Sequence, residues 1–360
     1  ENSPRSFRAT ELTKALSKLG HDVTLITIER DFDYTNFSDK HNIKMKFIGN
    51  LRLKKIKRSK YIGDLSRKFG RLLYVLFNYP DIELTYKLKK MLKYEKGYDI
   101  LISIAVPYPI HWGVAWARNN KHKIADTWIA DCGDPYYKNK LESFKIPFYF
   151  AFIEKWFSRK TDFITIPFEA LKSSFFEEFH ERIKIIPQGF DFSEIKIDNL
   201  PPQNSITKFA YAGGVARKGV RNIIPLLNRL ESLDAEFEFH LFVTTGRENL
   251  VSFENNKNNK VFIHEPLPRK DLLRELAQMD FLVNLLITGT ENYQAPSKLI
   301  DYSLTQRPIL NVDPKNPNID SINKFFHHDY SQAFELDDIE KYNIYNVAKE
   351  FIRLNKLSTK

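Results

Sequence analysis

Two hydrophobic rhythms alternate along this chain. Residues 6–19 place apolar side chains at steps of three and four before Gly20, which predicts an amphipathic helix with a glycine stop. Residues 22–27 and 43–48 are short and β-branched, as buried strands are. Residues 84–94 return to the helical period. Residues 99–105, DILISIA, form a near-continuous apolar run, the pattern of a parallel strand covered on both faces. A helix is predicted over 112–119, a strand beginning at 128–130, a helix over 153–159, and strands over 163–166 and 183–186. The opening residues, Glu1 to Arg5, read as a loop feeding a helix. An α/β domain normally has a strand there, so the first strand is expected to be missing from this chain.

Residues 192–207 break the rhythm with Pro201, Pro202, Asn199, Gln203 and Asn204, and read as a linker. Alternation then restarts. Strands are predicted over 209–212, 237–243, 261–264, 281–286 and 308–312, helices over 220–230, 270–278 and 296–304, and a last helix over 339–357. The pattern predicts two doubly wound α/β domains with a site at a cleft that both face. Residues 1–191 form the N-terminal domain and 208–338 the second. Residues 339–360 are a terminal helix that crosses back to the first.

Composition narrows the picture. The chain has 360 residues, 42% apolar and 28% charged, as in ordinary globular proteins. A single cysteine, Cys132, excludes an intrachain disulfide and a Cys-rich zinc site. The net charge of +10 is unevenly spread: nine Lys or Arg and one acid, Asp64, lie between Arg52 and Arg71. Tyr61, Leu65, Phe69, Leu72 and Leu76 interleave there at helical spacing. A basic amphipathic helix suits an anionic membrane surface, and equally a surface helix packed on its own domain. Nucleic-acid binding would rest on the isoelectric point alone, without RNA-binding aromatics or a charged stripe elsewhere, and is not expected.

The most informative chemistry lies in YQAPSKLIDYSLTQRPIL, Tyr293 to Leu310. Pro296 suits the first position of a helix. The free amides of Ser297 and Lys298 would then offer an anion site, with Asp301 on the same face to accept ribose hydroxyls. An ordinary capped helix fits the same letters. Asp131 and Asp134 flank Cys132 and Gly133 after a predicted strand, where α/β sites form, and fit either a base for a hydroxyl or an Asx turn. His111 after Pro107 and Pro109 is a catalyst or a helix-end histidine. Asp31-Phe32-Asp33 reads as a surface turn, and His327-His328 has no neighbouring ligands in sequence. No P-loop and no G-x-S-x-G is present.

Several segments, in order, resemble the family 4-like glycosyltransferases of the GT-B fold. Pro4-Arg5-Ser6 and Arg8 through Gly20-His21-Asp22-Val23 resemble that family's opening helix. WIADCGDPY, Trp128 to Tyr136, resembles its W-I-A-D-F-R-D-P-W element. Ile186 to Asp191 resembles I-P-N-G-V-D, and FAYAGGVARKG, Phe209 to Gly219, resembles Y-x-G-x-(4)-K-G. Tyr293 to Leu310 resembles the donor-binding motif. The resemblance implies two Rossmann-like domains facing a central cleft. It also implies a retaining transfer of a sugar from a nucleotide sugar to a glycan or lipid-linked acceptor in cell-surface polysaccharide assembly, on the cytoplasmic side and without a metal. It puts the diphosphate against Gly213 and Gly214, with Arg217 and Lys218 neutralising it and Tyr293, Ala295, Ser297, Lys298 and Asp301 lining the donor site. Asp131, Asp134 and His111 fall on the acceptor side. The chain departs from the family in three places: Gly214 and Gly133 stand where arginines are usual, and Tyr293 where a glutamate is. Tyr293 keeps open a second reading, a catalytically weak or inactive nucleotide-binding partner of another transferase.

Overall fold

The computed structural model describes residues 4–54, 63–119, 121–138, 146–193, 202–219, 221–233, 235–254, 261–286 and 297–358. The chain folds as two compact units. Glu1–Asp191 joins Lys341–Lys360 in the first, and Phe192–Glu340 forms the second.

The first unit opens with α1 (Pro4–Lys18), β1 (Val23–Thr27), α2 (Tyr34–His41), β2 (Ile43–Phe47), α3 (Gly63–Phe77) and α4 (Glu83–Leu92). It continues with β3 (Tyr98–Ala105), α5 (Pro109–Ala117), β4 (Ala125–Cys132), α6 (Tyr149–Lys160), β5 (Phe163–Ile166) and β6 (Ile183–Ile185). Gly20, at φ +88°, ends α1, with the His21 amide reaching back to the Leu16 carbonyl at 3.2 Å. Asp33, in the expected surface turn, caps α2 by accepting from the Asn36 amide at 3.0 Å. β3-β4-β5-β6 form one parallel sheet and β1-β2 another. No strand among the described residues joins β1 to β3.

β4 carries the core: every residue from Thr127 to Cys132 is buried, with α5 and α6 covering one face through Trp112, Phe150 and Phe157. The other face is covered by α1 and the C-terminal helix. There Leu12 and Ala15 meet Val347, Phe351 and Leu354, and the Thr127 hydroxyl donates to Asn355 Oδ1 at 2.6 Å.

The second unit runs β7 (Thr207–Gly213), α7 (Ile224–Glu231), β8 (Phe237–Val243), α8 (Val251–Glu254), β9 (Val261–His264) and α9 (Arg269–Ala277). It ends with β10 (Phe281–Leu285), α10 (Ser297–Leu304), β11 (Ile309–Val312) and α11 (Ile319–Phe326), before α12 (Ile344–Ser358) closes the first unit. The sheet is parallel, in the order β11-β10-β7-β8-β9. Phe209 at its centre stacks between Phe239 at 4.4 Å and Phe281 at 4.7 Å, which locks β7 between β8 and β10. Parallel strands with crossover helices put the C-terminal ends of β7, β8 and β10 on one edge, the usual place for a ligand.

Candidate active site

In the second unit, β7 ends in Gly213-Gly214. A Cβ on Gly214 would lie 2.6 Å from Thr245 Oγ1 at the end of β8, so any larger residue would have to displace that hydroxyl. The Val215 amide donates to the Thr245 carbonyl at 2.8 Å and the Thr244 amide to the Gly213 carbonyl at 3.2 Å, tying the two strand ends together. From below, the buried Tyr302 of α10 accepts from the Ala212 amide at 2.7 Å. That bond fixes the second turn of α10 against the end of β7, just before the glycine turn.

Lys298, in the first turn of α10, lies half-buried with Nζ 4.8 Å from the centre of the Tyr211 ring. The Tyr211 hydroxyl donates in turn to the Gly214 carbonyl at 2.9 Å. Burial, and then the nearby Arg221, push the Lys298 ammonium down from 10.5 to about 8. Arg221 Nη1 stands 3.5 Å from the place a Gly214 Cβ would take. Two cations are thus held near each other at a glycine turn and a helix start, a geometry that favours an anion. Three residues further along α10, Asp301 accepts on Oδ1 from Arg269 Nε at 2.9 Å and Nη2 at 2.7 Å. Burial raises its carboxyl against the pull of Arg269. Oδ2 has no partner among the described residues and can accept hydroxyls.

The structure therefore brings Gly213, Gly214, Lys298 and Asp301 together, with Ser297 opening α10. Tyr293 and Ala295 lie outside the described residues, as does Pro296. Arg217 and Lys218, the expected cations, lie on the loop that follows the turn. Arg217 is exposed and donates from Nε to Asn249 Oδ1 at 3.1 Å, and Lys218 is exposed beside it on the same loop. The loop folds back through the Ala216 amide, which donates to the Arg221 carbonyl at 2.9 Å. That fold returns the chain to the turn at Arg221. Arg221, Thr244 and Thr245 were not singled out by the motif. The polar pair directly after an apolar strand was the available sign.

In the first unit the three acidic and basic candidates separate. Asp131 is fully buried at the end of β4. Arg8 Nε donates to its Oδ2 at 2.6 Å and Nη2 to Oδ1 at 2.7 Å, and the Thr165 hydroxyl adds a third bond at 2.7 Å. Burial would raise this carboxyl, but Arg8 and Thr165 outweigh it and hold it below the ordinary carboxylate range. Arg8 also donates to the Pro187 and Ile186 carbonyls at 2.7 and 3.2 Å. Asp131 is accordingly a lock between α1, β4 and the 186–187 segment. It has no exposed atom with which to take a proton from an acceptor.

His111 is corrected likewise. It is fully buried and stacks on Phe157 at 5.4 Å. Trp128 Nε1 donates to Ser103 Oγ at 2.8 Å, which leaves that hydroxyl to donate to His111 Nδ1 at 2.8 Å. The network thus assigns the ring proton to Nε2, which faces Cys132 Sγ at 3.4 Å. Burial lowers the imidazole to about 4, against Asp131, so it is neutral at physiological pH. Cys132 pairs with the Tyr108 hydroxyl, which donates to the Asp134 carbonyl at 2.6 Å. His111 is therefore a link in a buried chain that ends under the 133–134 loop.

Asp134 alone of the three offers an exposed carboxylate. It faces Arg5 Nη2 at 3.4 Å. The Arg5 guanidinium lies directly over Gly133, where any Cβ would fall within 1.8 Å of it. An arginine thus reaches position 133 after all, supplied by α1. Among the described residues no cluster of three His, Cys, Asp or Glu could hold a metal ion.

A sequence model of glycosyltransferase family 4 matches residues 7–194, just over half of the chain. No curated protein matches it in sequence. Among solved structures, a glycosyltransferase from Rickettsia africae shares the fold at a TM-score of 0.60 and 12% identity, over 99% of this chain and 96% of that one. HepE of Anabaena, solved in complex with UDP, shares it at 0.59 and 10%, over 100% and 98%. The apo lipopolysaccharide outer core galactosyltransferase WaaB follows at 0.54 and 14%, over 94% and 100%. The matched family segment covers the opening helix, the β4 element and the 186–191 stretch in one span, so the chain belongs to glycosyltransferase family 4, a glycosyltransferase of the GT-B fold.

Proposed function

We propose that the protein is a retaining, hexosyl-transferring enzyme that takes a sugar from a uridine diphosphate sugar to an acceptor hydroxyl, in cell-surface glycan assembly at the cytoplasmic side of a membrane. The observation that carries this reading is the pair of cations, Lys298 and Arg221, held together at the Gly213-Gly214 turn. Bringing like charges together is costly unless a ligand of about two negative charges joins them, and a diphosphate supplies that. The UDP bound to Anabaena HepE makes UDP the first nucleotide to try.

In this reading the bond from the anomeric carbon to the diphosphate oxygen breaks while the acceptor oxygen bonds to the same face of that carbon. The acceptor proton passes to the departing diphosphate. Charge grows on the diphosphate as the bond breaks, and in this reading Lys298, Arg221 and the α10 amides stabilise it. Asp301 accepts the ribose hydroxyls, and Asp134 with Arg5 orients the acceptor. Titration with UDP, followed by release of UDP from a panel of UDP sugars, tests the reading. Binding and release that are both strongly weakened in Arg221→Ala, and both persist in EDTA, support it. Absence of any nucleoside diphosphate binding overturns it.

Tyr293, in the place of the usual glutamate, favours a second reading, in which the chain binds nucleotide as a partner of another transferase. UDP binding without release from any sugar would select that reading.

A further inference from the structure

The loop that carries Asp134 is held from beneath by three buried side chains, each from a different part of the first unit. Tyr108, just before α5, donates to the Asp134 carbonyl at 2.6 Å. Asn78, just after α3, donates from Nδ2 to the Tyr136 hydroxyl at 2.9 Å. Glu154 of α6 accepts on Oε2 from the Tyr137 amide at 2.9 Å. All three side chains lie in the core. The first two bonds join neutral groups. The third ends on a carboxyl group, whose strength as an acceptor depends on whether it carries a proton.

Glu154 is surrounded differently from Asp131, at the end of β4. Asp131 has Arg8 on both oxygens and Thr165 on one. Glu154 has one amide on Oε2, and its buried Oε1 has no hydrogen-bond partner among the described residues. The titratable groups that face it are Tyr108 from the start of α5, Cys132 from β4, and Tyr136 and Lys138 from the loop. Burial raises both phenols and the thiol, so those three are neutral at physiological pH. Lys138 is directed elsewhere, with Nζ 3.5 Å from the Phe175 carbonyl and 4.8 Å from the centre of the Phe176 ring. The Trp112 ring stacks on Phe150, one helical turn before Glu154, and meets Tyr136 edge-on at 5.4 Å. Its Nε1 is buried without a partner too.

Among the described residues no cation touches Glu154, and burial brings its carboxyl up to about 7. A carboxyl that served the fold alone would be paired, as Asp131 is, or would be an amide. An amide makes the same bond to Tyr137 without the cost of burying a charge. What the carboxyl adds is a bond that strengthens on ionisation.

We propose that Glu154 is a positioning residue for the acceptor: ionised, it grips the Tyr137 amide and holds the 134–137 loop with its Asp134 carboxylate in place, and protonated, it loosens them. The acceptor role rests on the reading of Asp134 as an acceptor contact. The grip on the loop does not, and it is measured separately.

Protein labelled with 15N-tyrosine reads the grip without donor or acceptor. The Tyr137 amide resonance, identified by its loss in Tyr137→Phe, should move with pH about a midpoint near 7 in the wild type and stay fixed in Glu154→Gln. An amide that does not titrate between about pH 5.5 and 8.5 in the wild type, or that titrates alike in Glu154→Gln, overturns the proposal. The wild-type half of this test needs no variant to fold.

Turnover reads the positioning, with octyl glycosides as probe acceptors and UDP release as the signal. For the glycosides that accept sugar, the wild-type KM for glycoside should rise about three- to tenfold from pH 8 to pH 6, the difference between a charge-assisted and a neutral hydrogen bond. Glu154→Gln should show the higher KM at both pH values, with UDP affinity equal to the wild type's at each. A merely structural residue moves stability and KM in the same sense. Here they part, because removing the buried charge makes Glu154→Gln the more stable protein at pH 8 and the poorer at binding acceptor. Equal glycoside KM for Glu154→Gln and wild type at pH 8 overturns the proposal. Loss of UDP binding in the wild type with the amide titration intact overturns the donor reading instead, and where no glycoside accepts sugar the amide titration decides.

Discussion

Replacing Lys298 with methionine should make the free protein more stable and unable to bind UDP. Methionine keeps an unbranched chain over the Tyr211 ring and removes only the charge. The ammonium falls from 10.5 to about 8 on folding, burial first and Arg221 second. At about 1.36 kcal/mol per pH unit, holding it protonated costs the fold about 3 kcal/mol. Loss of the cation–π contact returns about 0.5–2 kcal/mol, leaving a net gain of about 1–3 kcal/mol for the variant. The sign follows from linkage. A lysine whose folded value lies below its unfolded value penalises the native state fully below pH 8, and the penalty disappears as pH rises toward 10.5. The gain in melting temperature, a few degrees, should therefore be largest at pH 7 and close by pH 10. The same linkage makes UDP affinity of the wild type fall by up to about tenfold per pH unit above 8, because only the protonated lysine holds the diphosphate. Differential scanning fluorimetry across pH and calorimetric titration with UDP measure the two halves. A variant that is less stable than wild type at pH 7, or that still binds UDP tightly, would refute the reasoning.

Other outcomes follow from named contacts. Glu154 is buried, accepts from the Tyr137 amide at 2.9 Å, and its carboxyl is pushed up by burial to about 7. Its ionisation destabilises the fold increasingly as pH rises from 4.5 to 7, so Glu154→Gln should raise stability at pH 8 by up to about 3 kcal/mol, read in a denaturant melt, and leave it unchanged at pH 4. Arg221→Ala should weaken UDP binding about ten- to a hundredfold, whereas Arg217→Ala should change it less than about twofold, as titration will show. Asp131→Ala leaves Arg8 buried and unpaired and should cost about 3–5 kcal/mol of stability in a denaturant melt, with donor binding by the second unit retained. Gly133→Ala should evict Arg5 and raise the KM for acceptor while UDP affinity holds.

Most of the fold was legible because parallel strands buried on both faces are apolar runs. Phe163–Ile166, Phe237–Val243 and Val261–His264 begin and end where the sequence puts them. The misses have local causes. β4 starts at Ala125, three residues before Trp128, because pairing with β3 recruits Ala125 and Thr127, which the polar Asp126 separates from any apolar run. α7 starts at Ile224 rather than 220, with Pro225 in its first turn, where proline is tolerated. α2 (Tyr34–His41) was missed because it buries no residue and so has no apolar stripe to read. The terminal helix divides at Tyr342 and Ile344, where Phe190 exchanges backbone bonds with Tyr342 and Ile344.

The site was less legible than the fold. A motif names residue types near a turn, but which cation meets the turn is fixed by how the 214–221 loop folds back. Lys218 keeps its place in the KG motif, yet the loop puts Arg221 against Gly214. Asp131 looked catalytic because it sits at a strand end. Its partner Arg8 is 123 positions away, a separation that hides the ion pair from any local pattern. His111 was hidden similarly, since Ser103, Cys132 and Trp128 converge on it only in the folded sheet. Gly133 looked like a lost arginine until Arg5 was found lying over it.

A crystal structure of the protein with UDP tests the central claim most directly. The account predicts the diphosphate against the Gly214 amide, within hydrogen-bonding reach of Lys298 Nζ and Arg221, and the ribose at Asp301. UDP bound anywhere else, or bound there with Lys298 and Arg221 turned away, would contradict it.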